Sequence, residues 1–321
     1  MESESKPQFQ SPFGLLGIFE ESFKAISRNK KLLVRILLLV FLSISLYDLA
    51  QDYMLASISK KFYNFELQFP DNPRICNDFR SYLNNPTCRA SMDIIHEFFL
   101  VKVIFYAYSS IILLVYSVAT VFSSHEAYNA KVLGPKEMLL KIRSSWTKPL
   151  VTSFYMILIT LGIVFLVAIS SLIAIISAVN SWSRVYFGGV AVLIIIWYIY
   201  VAALWIFSIV VSVLEEGFVG VKAIGRAAEL MSGKRLQASI LIILFVVSYV
   251  VVDQMNEVII TSYNLSWSTR FAISIVFLNG LNSSLTIFMF VLFTVLYHER
   301  KTSHDEKEVK GLYIPIAAGE D

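Results

Sequence analysis

Two stretches without a single charged side chain decide what this chain can be. Leu150–Ser183 and Val185–Leu214 contain no Asp, Glu, Lys, Arg or His. A helix crosses the hydrocarbon core of a bilayer with roughly 20 apolar residues, so each stretch is long enough to span. The composition agrees. Apolar residues make up 56% of the chain and charged residues 16%, against about 45–50% and about 25% in soluble domains. The mean hydropathy is +0.66.

The same criterion places six spans at about 32–54, 97–123, 150–178, 185–213, 236–257 and 271–297. The opening MESESKPQFQ is polar and carries two acids, unlike a cleavable signal or a basic transit peptide. The first span is therefore expected to act as its own uncleaved signal. Residues 1–31 form an N-terminal segment, 55–95 the one sizeable loop, and 298–321 a polar tail. Pro70, Pro73 and Pro86 read as turns within the loop. Of the 27 Lys and Arg, 18 fall on the side of the two termini and 7 on the other. Basic residues collect on the cytosolic side, so both termini are expected there, with loop 55–95 in the lumen or outside. Cys76 and Cys88 both lie on that loop. A disulfide needs an oxidising compartment, so they are either a candidate disulfide or two unrelated free thiols.

Between the fourth and fifth spans lies VLEEGFVGVKAIGRAAELMSGKRL, Val213 to Leu236. Phe218, Val221, Ile224, Ala228 and Met231 recur at helical spacing, with Lys222, Arg226 and Glu229 opposite, as in a helix on an apolar surface. Glu215 and Glu216 precede it and Lys234 and Arg235 follow, the order that suits a helix macrodipole. Related patterns begin at Gly17 and Gly134, each running acid, amphipathic turn, basic cluster, span. In the first, Leu15, Phe19, Phe23 and Ile26 share a face; in the second, Met138, Leu139, Ile142 and Trp146 do. The expected fold is an all-α polytopic protein. Its six spans form three hairpins, each preceded by an amphipathic cytosolic interfacial helix. The plainer alternative is that any basic helix beside a membrane looks this way.

The residues E-G-x-x-x-x-x-A-I-x-R-x-x-x-L-x-x-G from Glu216 to Gly233 resemble the membrane domain attached to bacterial glycerophosphodiester phosphodiesterases. The layout of the whole chain is similar to a plant family of six-span proteins without assigned biochemistry. Ala227 stands where that pattern would have Ser. The resemblance implies a membrane domain and supplies no catalytic residues, because the phosphodiesterase site belongs to a soluble domain that this chain lacks.

Enzyme motifs are missing: H-E-x-x-H, G-x-S-x-G, a P-loop and Cys/His zinc spacing are all absent from the sequence. His96, His125, His298 and His304 are far apart along the chain. No catalytic, cofactor-binding or metal-binding residues are assigned, and no cofactor is expected. Two candidate sites remain. On the cytosolic side, Lys222, Arg226, Lys234 and Arg235 are candidate contacts to lipid or a partner. Anionic headgroups attract such residues at about 1 kcal/mol each. On the luminal side, Asp48, Lys102, Asp253, Asn279 and Asn282 form a candidate polar cluster. Ionisable groups at membrane depth point to function by default, although Lys102 pairing with Asp48 or Asp253 would make the cluster structural. The function expected is therefore non-enzymatic: a membrane-organising, trafficking or adaptor protein of the endomembrane system or plasma membrane. Its expected partners are the bilayer, with anionic headgroups, and a cytosolic protein, with no direct nucleic-acid binding. The alternative is a small-solute or ion transporter using the luminal cluster.

Overall fold

A computed structural model describes residues 14–68, 86–131, 134–177, 181–262, 269, 272 and 275–312. Among these the chain is helical, and six helices are long and apolar enough to cross a membrane. In chain order the helices are α1 (Leu15–Arg28), α2 (Lys30–Gln68), α3 (Pro86–Tyr128), α4 (Pro135–Ser145), α5 (Thr147–Ser177), α6 (Ser181–Leu214), α7 (Val221–Leu230), α8 (Arg235–Ser262) and α9 (Gly280–Leu312). A π-helical turn, Ile275–Asn279, leads into α9. The short helices α1, α4 and α7 each stand directly before a long one. Of the long helices, α2 packs on α3 and α5 on α6, α8 packs on both α6 and α9, and α9 also packs on α3 and α6.

The first two long helices exceed what the spans at 32–54 and 97–123 require. They hold 39 and 43 residues, roughly 58 and 65 Å at 1.5 Å per residue, about twice the hydrocarbon thickness of ~30 Å. Most of what was expected as loop before 69 and after 85 is thus helix. The reason is local. Nothing between Asp52 and Gln68 breaks a helix, since that stretch has no Gly or Pro. Pro86, expected in a turn, instead takes the first helical position of α3, where its missing N–H costs nothing. The Cys76–Cys88 pairing lies outside the described residues.

The core sits at one end of the bundle, the end that carries α1, α4 and α7. Its centre is Phe207, Val210 and Val211 of α6 with Leu292, Phe293 and Leu296 of α9, joined by Val118 and Val121 of α3 and Leu241 of α8. Small residues bring the short helices in: Ser22 and Ala25 of α1, and Ala223 and Ala227 of α7, are all buried. Towards the other end the helices turn large apolar side chains outward, among them Ile104, Leu161, Phe165, Ile196 and Val247. That surface suits lipid, which needs no polar cover.

One glycine fixes how α7 meets the bundle. Gly220 has φ +61 and ψ −128, backbone that L side chains rarely adopt. A Cβ there would lie 3.0 Å from the Tyr155 ring. Its N–H, buried, donates to Thr152 Oγ1 at 3.0 Å, and Thr152 in turn donates to the Lys148 carbonyl at 3.0 Å. Gly225, on the exposed side of α7, has nothing within 4 Å of its added Cβ. Gly220→Ala is therefore expected to destabilise by about 1–3 kcal/mol. Gly225→Ala should stabilise by about 0.5–1 kcal/mol through helix propensity. Thermal unfolding of the two variants in detergent should move in opposite directions.

Candidate functional site

The end of the bundle bearing the short helices is organised by Glu215, which follows α6 and is buried. Tyr297 donates its hydroxyl to Glu215 Oε1 at 2.8 Å. Arg226 Nε lies 3.5 Å from Oε2 and Lys301 Nζ 3.7 Å from Oε1. One carboxylate thus ties α6, α7 and α9 together.

Two arginines complete the joint by taking up carbonyls that helix ends leave without partners. Arg300 donates to the Leu230 carbonyl at 2.8 Å and the Ser232 carbonyl at 2.6 Å, closing the end of α7. Arg28 reaches the Ala127 and Tyr128 carbonyls at 3.4 and 3.5 Å, and Asn29 the Ser123 carbonyl at 3.3 Å, closing the end of α3. Lys141 of α4 pairs with Glu126 at 2.5 Å.

This arrangement sorts the four basic residues proposed as contacts. Arg226 is turned inward and shared between Glu215 and Glu229, the latter at 3.3 Å. Lys234 is ion-paired with Glu299. Lys222 is exposed and makes no ion pair among the described residues. Arg235 is also exposed, its guanidinium 5.8 Å from the Tyr200 ring centre. Lys24 of α1 is spent locally on Glu20 and Glu21, at 2.8 and 2.9 Å. The hydrogen bond and charge of Lys24 hold the Glu20 carboxyl below its ordinary range.

The face that α7 buries differs from the one its apolar spacing suggests. Ala223, Ala227, Leu230 and Met231 face the bundle, while Val221 is 62% exposed. Small residues permit close helix approach and Arg226 must reach Glu215, so Val221 is turned outward, while Phe218 and Ile224 of the expected face still pack against the bundle. The other short helices also pack part of their expected apolar face, Leu15, Phe19 and Ile26 of α1 and Ile142 of α4, and leave other large residues outside. Leu16 and Phe23 of α1 and Leu139 and Leu140 of α4 are exposed, whereas Ile18 and Met138 are buried.

At the opposite end the expected polar cluster comes together only in part. Asn279 is buried at the close of the π turn and donates to Asp48 Oδ2 at 2.7 Å, with Ser45 Oγ at 3.4 Å. Asn282, one turn on, has a buried Oδ1 without a partner. Lys102 and Asp253 are exposed and join neither each other nor Asp48. The Lys102 ammonium instead lies 5.9 Å from the Phe98 ring centre. The pairing of Lys102 with an aspartate therefore does not form among the described residues.

A histidine pair went unread in the sequence. His125 Nδ1 and His298 Nε2 are 3.0 Å apart, and His298 stacks on Tyr128 with ring centres 4.3 Å apart and planes 4° off parallel. The two are 173 residues apart in sequence. The available signal was that each closes a span on the same side of the membrane. Among the described residues no group of three or more His, Cys, Asp or Glu is placed to hold a metal ion.

A bundle of six membrane-length apolar helices, pinned together at one end by ion pairs and carbonyl caps, is an integral multi-pass membrane protein. The family described as "Domain of unknown function (DUF8558)" matches residues 1–312, and the chain belongs to it. No curated protein and no solved structure matches the chain.

The Glu215 joint makes a ranked prediction for unfolding in detergent. Tyr297→Phe removes a buried hydrogen bond to a charged group, an expected loss of about 1.5–3 kcal/mol. Lys301→Met removes a longer contact from a half-exposed lysine and should cost less than about 1 kcal/mol. Equal losses from the two variants would mean that the joint is not the support described.

Proposed function

We propose that this protein is a non-enzymatic organiser or adaptor of the endomembrane system or plasma membrane, with both termini cytosolic. On this reading the short helices lie at the cytosolic boundary, each opening a unit completed by a transmembrane hairpin. The observation that carries it is the outward surface of those helices. Leu16, Phe23, Leu139, Leu140 and Val221 are exposed on them, and so are the bases Lys222 of α7 and Arg235 at the start of α8. Large apolar residues next to unpaired positive charge are what a bilayer boundary with anionic headgroups accommodates. The resemblance of Glu216–Gly233 to a membrane domain found beside lipid-metabolising enzymes, and to plant six-span proteins, is consistent with that role.

Protease protection tests the topology: in sealed vesicles with the cytosolic side out, the tail after 298 should be cut and segment 69–85 spared. Native mass spectrometry of the full chain from mixed phosphatidylserine and phosphatidylcholine tests headgroup contact. Phosphatidylserine should be enriched, and Lys222→Gln should lower the enrichment up to about fivefold, the equivalent of about 1 kcal/mol for one basic residue. Unchanged enrichment would leave Lys222 a topology signal only.

A transporter reading retains one specific support. The π turn opens the last spanning helix where Asn279 holds Asp48, and π turns often mark functional sites. It requires that Asp48→Asn abolish ion flux measured in proteoliposomes. Absence of flux above empty vesicles in the wild type would remove it.

A further inference from the structure

Between the end of α7, the start of α8 and the last turns of α9 lies a groove of about 510 Å³, walled in part by Glu229, Ser232, Arg235, Arg300, Ser303 and His304. That volume lies within the range of small-ligand sites, about 300–1,000 Å³.

The groove is built in advance of any ligand. The bonds from Arg300 to the Leu230 and Ser232 carbonyls fix its guanidinium through Nε and one terminal nitrogen. A guanidinium has five N–H donors, so most of its planar fork stays available in a set orientation. The turn it braces ends at Gly233, φ +87, whose position lies close against Arg300. Arg235 is the first residue of α8, so its side chain and the partial positive charge of a 28-residue helix act in the same place. His304 lies one turn beyond Arg300 on the same face of α9, and among the described residues its buried Nδ1 has no hydrogen-bond partner. Ser232 and Ser303 add hydroxyls.

The charge count is equally specific. Glu229 on the groove wall is paired with Arg226 at 3.3 Å, and the neighbouring Glu299 is paired with Lys234. Neither Arg235 nor Arg300 has a carboxylate partner among the described residues. Two guanidinium groups, one imidazole and two hydroxyls therefore converge with no free acid between them. Arginine forks match phosphate oxygens two at a time. A phosphomonoester carries nearly two negative charges and three strong acceptors at neutral pH. A phosphodiester bearing a cationic amine offers one charge and brings a cation that the arginines repel.

We propose that this groove binds a phosphomonoester, the chemistry shared by phosphatidate-type headgroups and free phosphate. The inference deepens the headgroup-contact reading above and rests on it. Beside the groove, Leu236, Ile243, Val247 and Val250 form an exposed apolar ridge along α8. The ridge gives an attached acyl chain a continuous path into the bilayer.

The full chain in nonionic detergent is titrated with dioctanoyl phosphatidate, dioctanoyl phosphatidylcholine and inorganic phosphate. Binding is read by calorimetry, alongside the melting temperature. Phosphatidate should bind at least tenfold more tightly than phosphatidylcholine. The double variant R235Q/H304Q should lose at least tenfold of that affinity with its elution and melting unchanged. Arg300→Lys keeps the charge, loses the fork, and should also weaken binding. Inorganic phosphate binding as tightly as phosphatidate identifies the phosphate group alone as the ligand; binding by phosphatidate only identifies the lipid. Phosphatidate no tighter than phosphatidylcholine, or a folded double variant that binds like wild type, overturns the proposal. Should the double variant not fold, the wild type decides: phosphatidate must raise its melting temperature and phosphatidylcholine must not. Lys222→Gln separates the two readings, because it should lower phosphatidylserine enrichment and leave this titration unchanged. If phosphatidylserine enrichment persists while phosphatidate fails to bind, the groove alone is excluded.

Discussion

The Glu215 carboxylate is the constraint on which the rest of this molecule depends. It stands just past the C-terminus of a 34-residue helix, where the helix dipole adds negative charge, and it is buried. Such a group must find donors inside the protein or destabilise it. Tyr297 donates a hydrogen bond to it, and Arg226 and Lys301 add ion pairs. Because Arg226 is on α7 and the other two are on α9, satisfying one carboxylate fixes two further elements. The rotation of α7 follows. With Arg226 turned towards Glu215, Ala223 and Ala227 face the bundle, and Val221 and Lys222 face out.

That rotation determines which charges the protein can offer. A count of Lys and Arg treats all basic residues as equivalent, but internal pairs neutralise several of them. Arg226, Lys234, Lys141 and Lys24 each have a carboxylate within 4.0 Å. Lys222, Arg235 and Arg300 have none among the described residues. Two of these three line one groove, so two guanidinium groups without a carboxylate stand together there.

How much could be read beforehand follows from the range of each interaction. The spans were legible because a long run of apolar residues with charges only near its ends is a local property that suits a bilayer. The short helices were legible from their spacing, and so was the preference for Lys and Arg beside them. The buried face of α7 was legible in part: Met231 is buried and Phe218 and Ile224 pack on the bundle, but Val221 is exposed and the burial of Ala223 and Ala227 carries no apolar signal of its own. The helical ends of α2 and α3 beyond a bilayer's thickness were obscured by proline, read as turns when Pro86 in fact starts a helix. Contacts across the fold, such as His125 with His298 or Asn279 with Asp48, needed the order in which six helices pack. Of the expected polar cluster, Asp48 and Asn279 meet through a hydrogen bond, while Lys102 and Asp253 are exposed and pair with neither.

The two ends of the bundle therefore have different mechanical characters, and this bears on function. At the end with the short helices, helix termini are closed by Arg28, Asn29 and Arg300. Those bonds join segments some 70 to 100 residues apart, so the surface they support behaves as one platform rather than three independent helices. Towards the other end, many large apolar side chains face outward. In lipid this costs nothing, because acyl chains are as apolar as leucine. A platform of fixed arginines and outward leucines, carried on spans that slide easily against lipid, suits recognition at the membrane surface. A rocking transporter needs the reverse: a central site and a boundary free to open on both sides. The caps at one end favour the first arrangement.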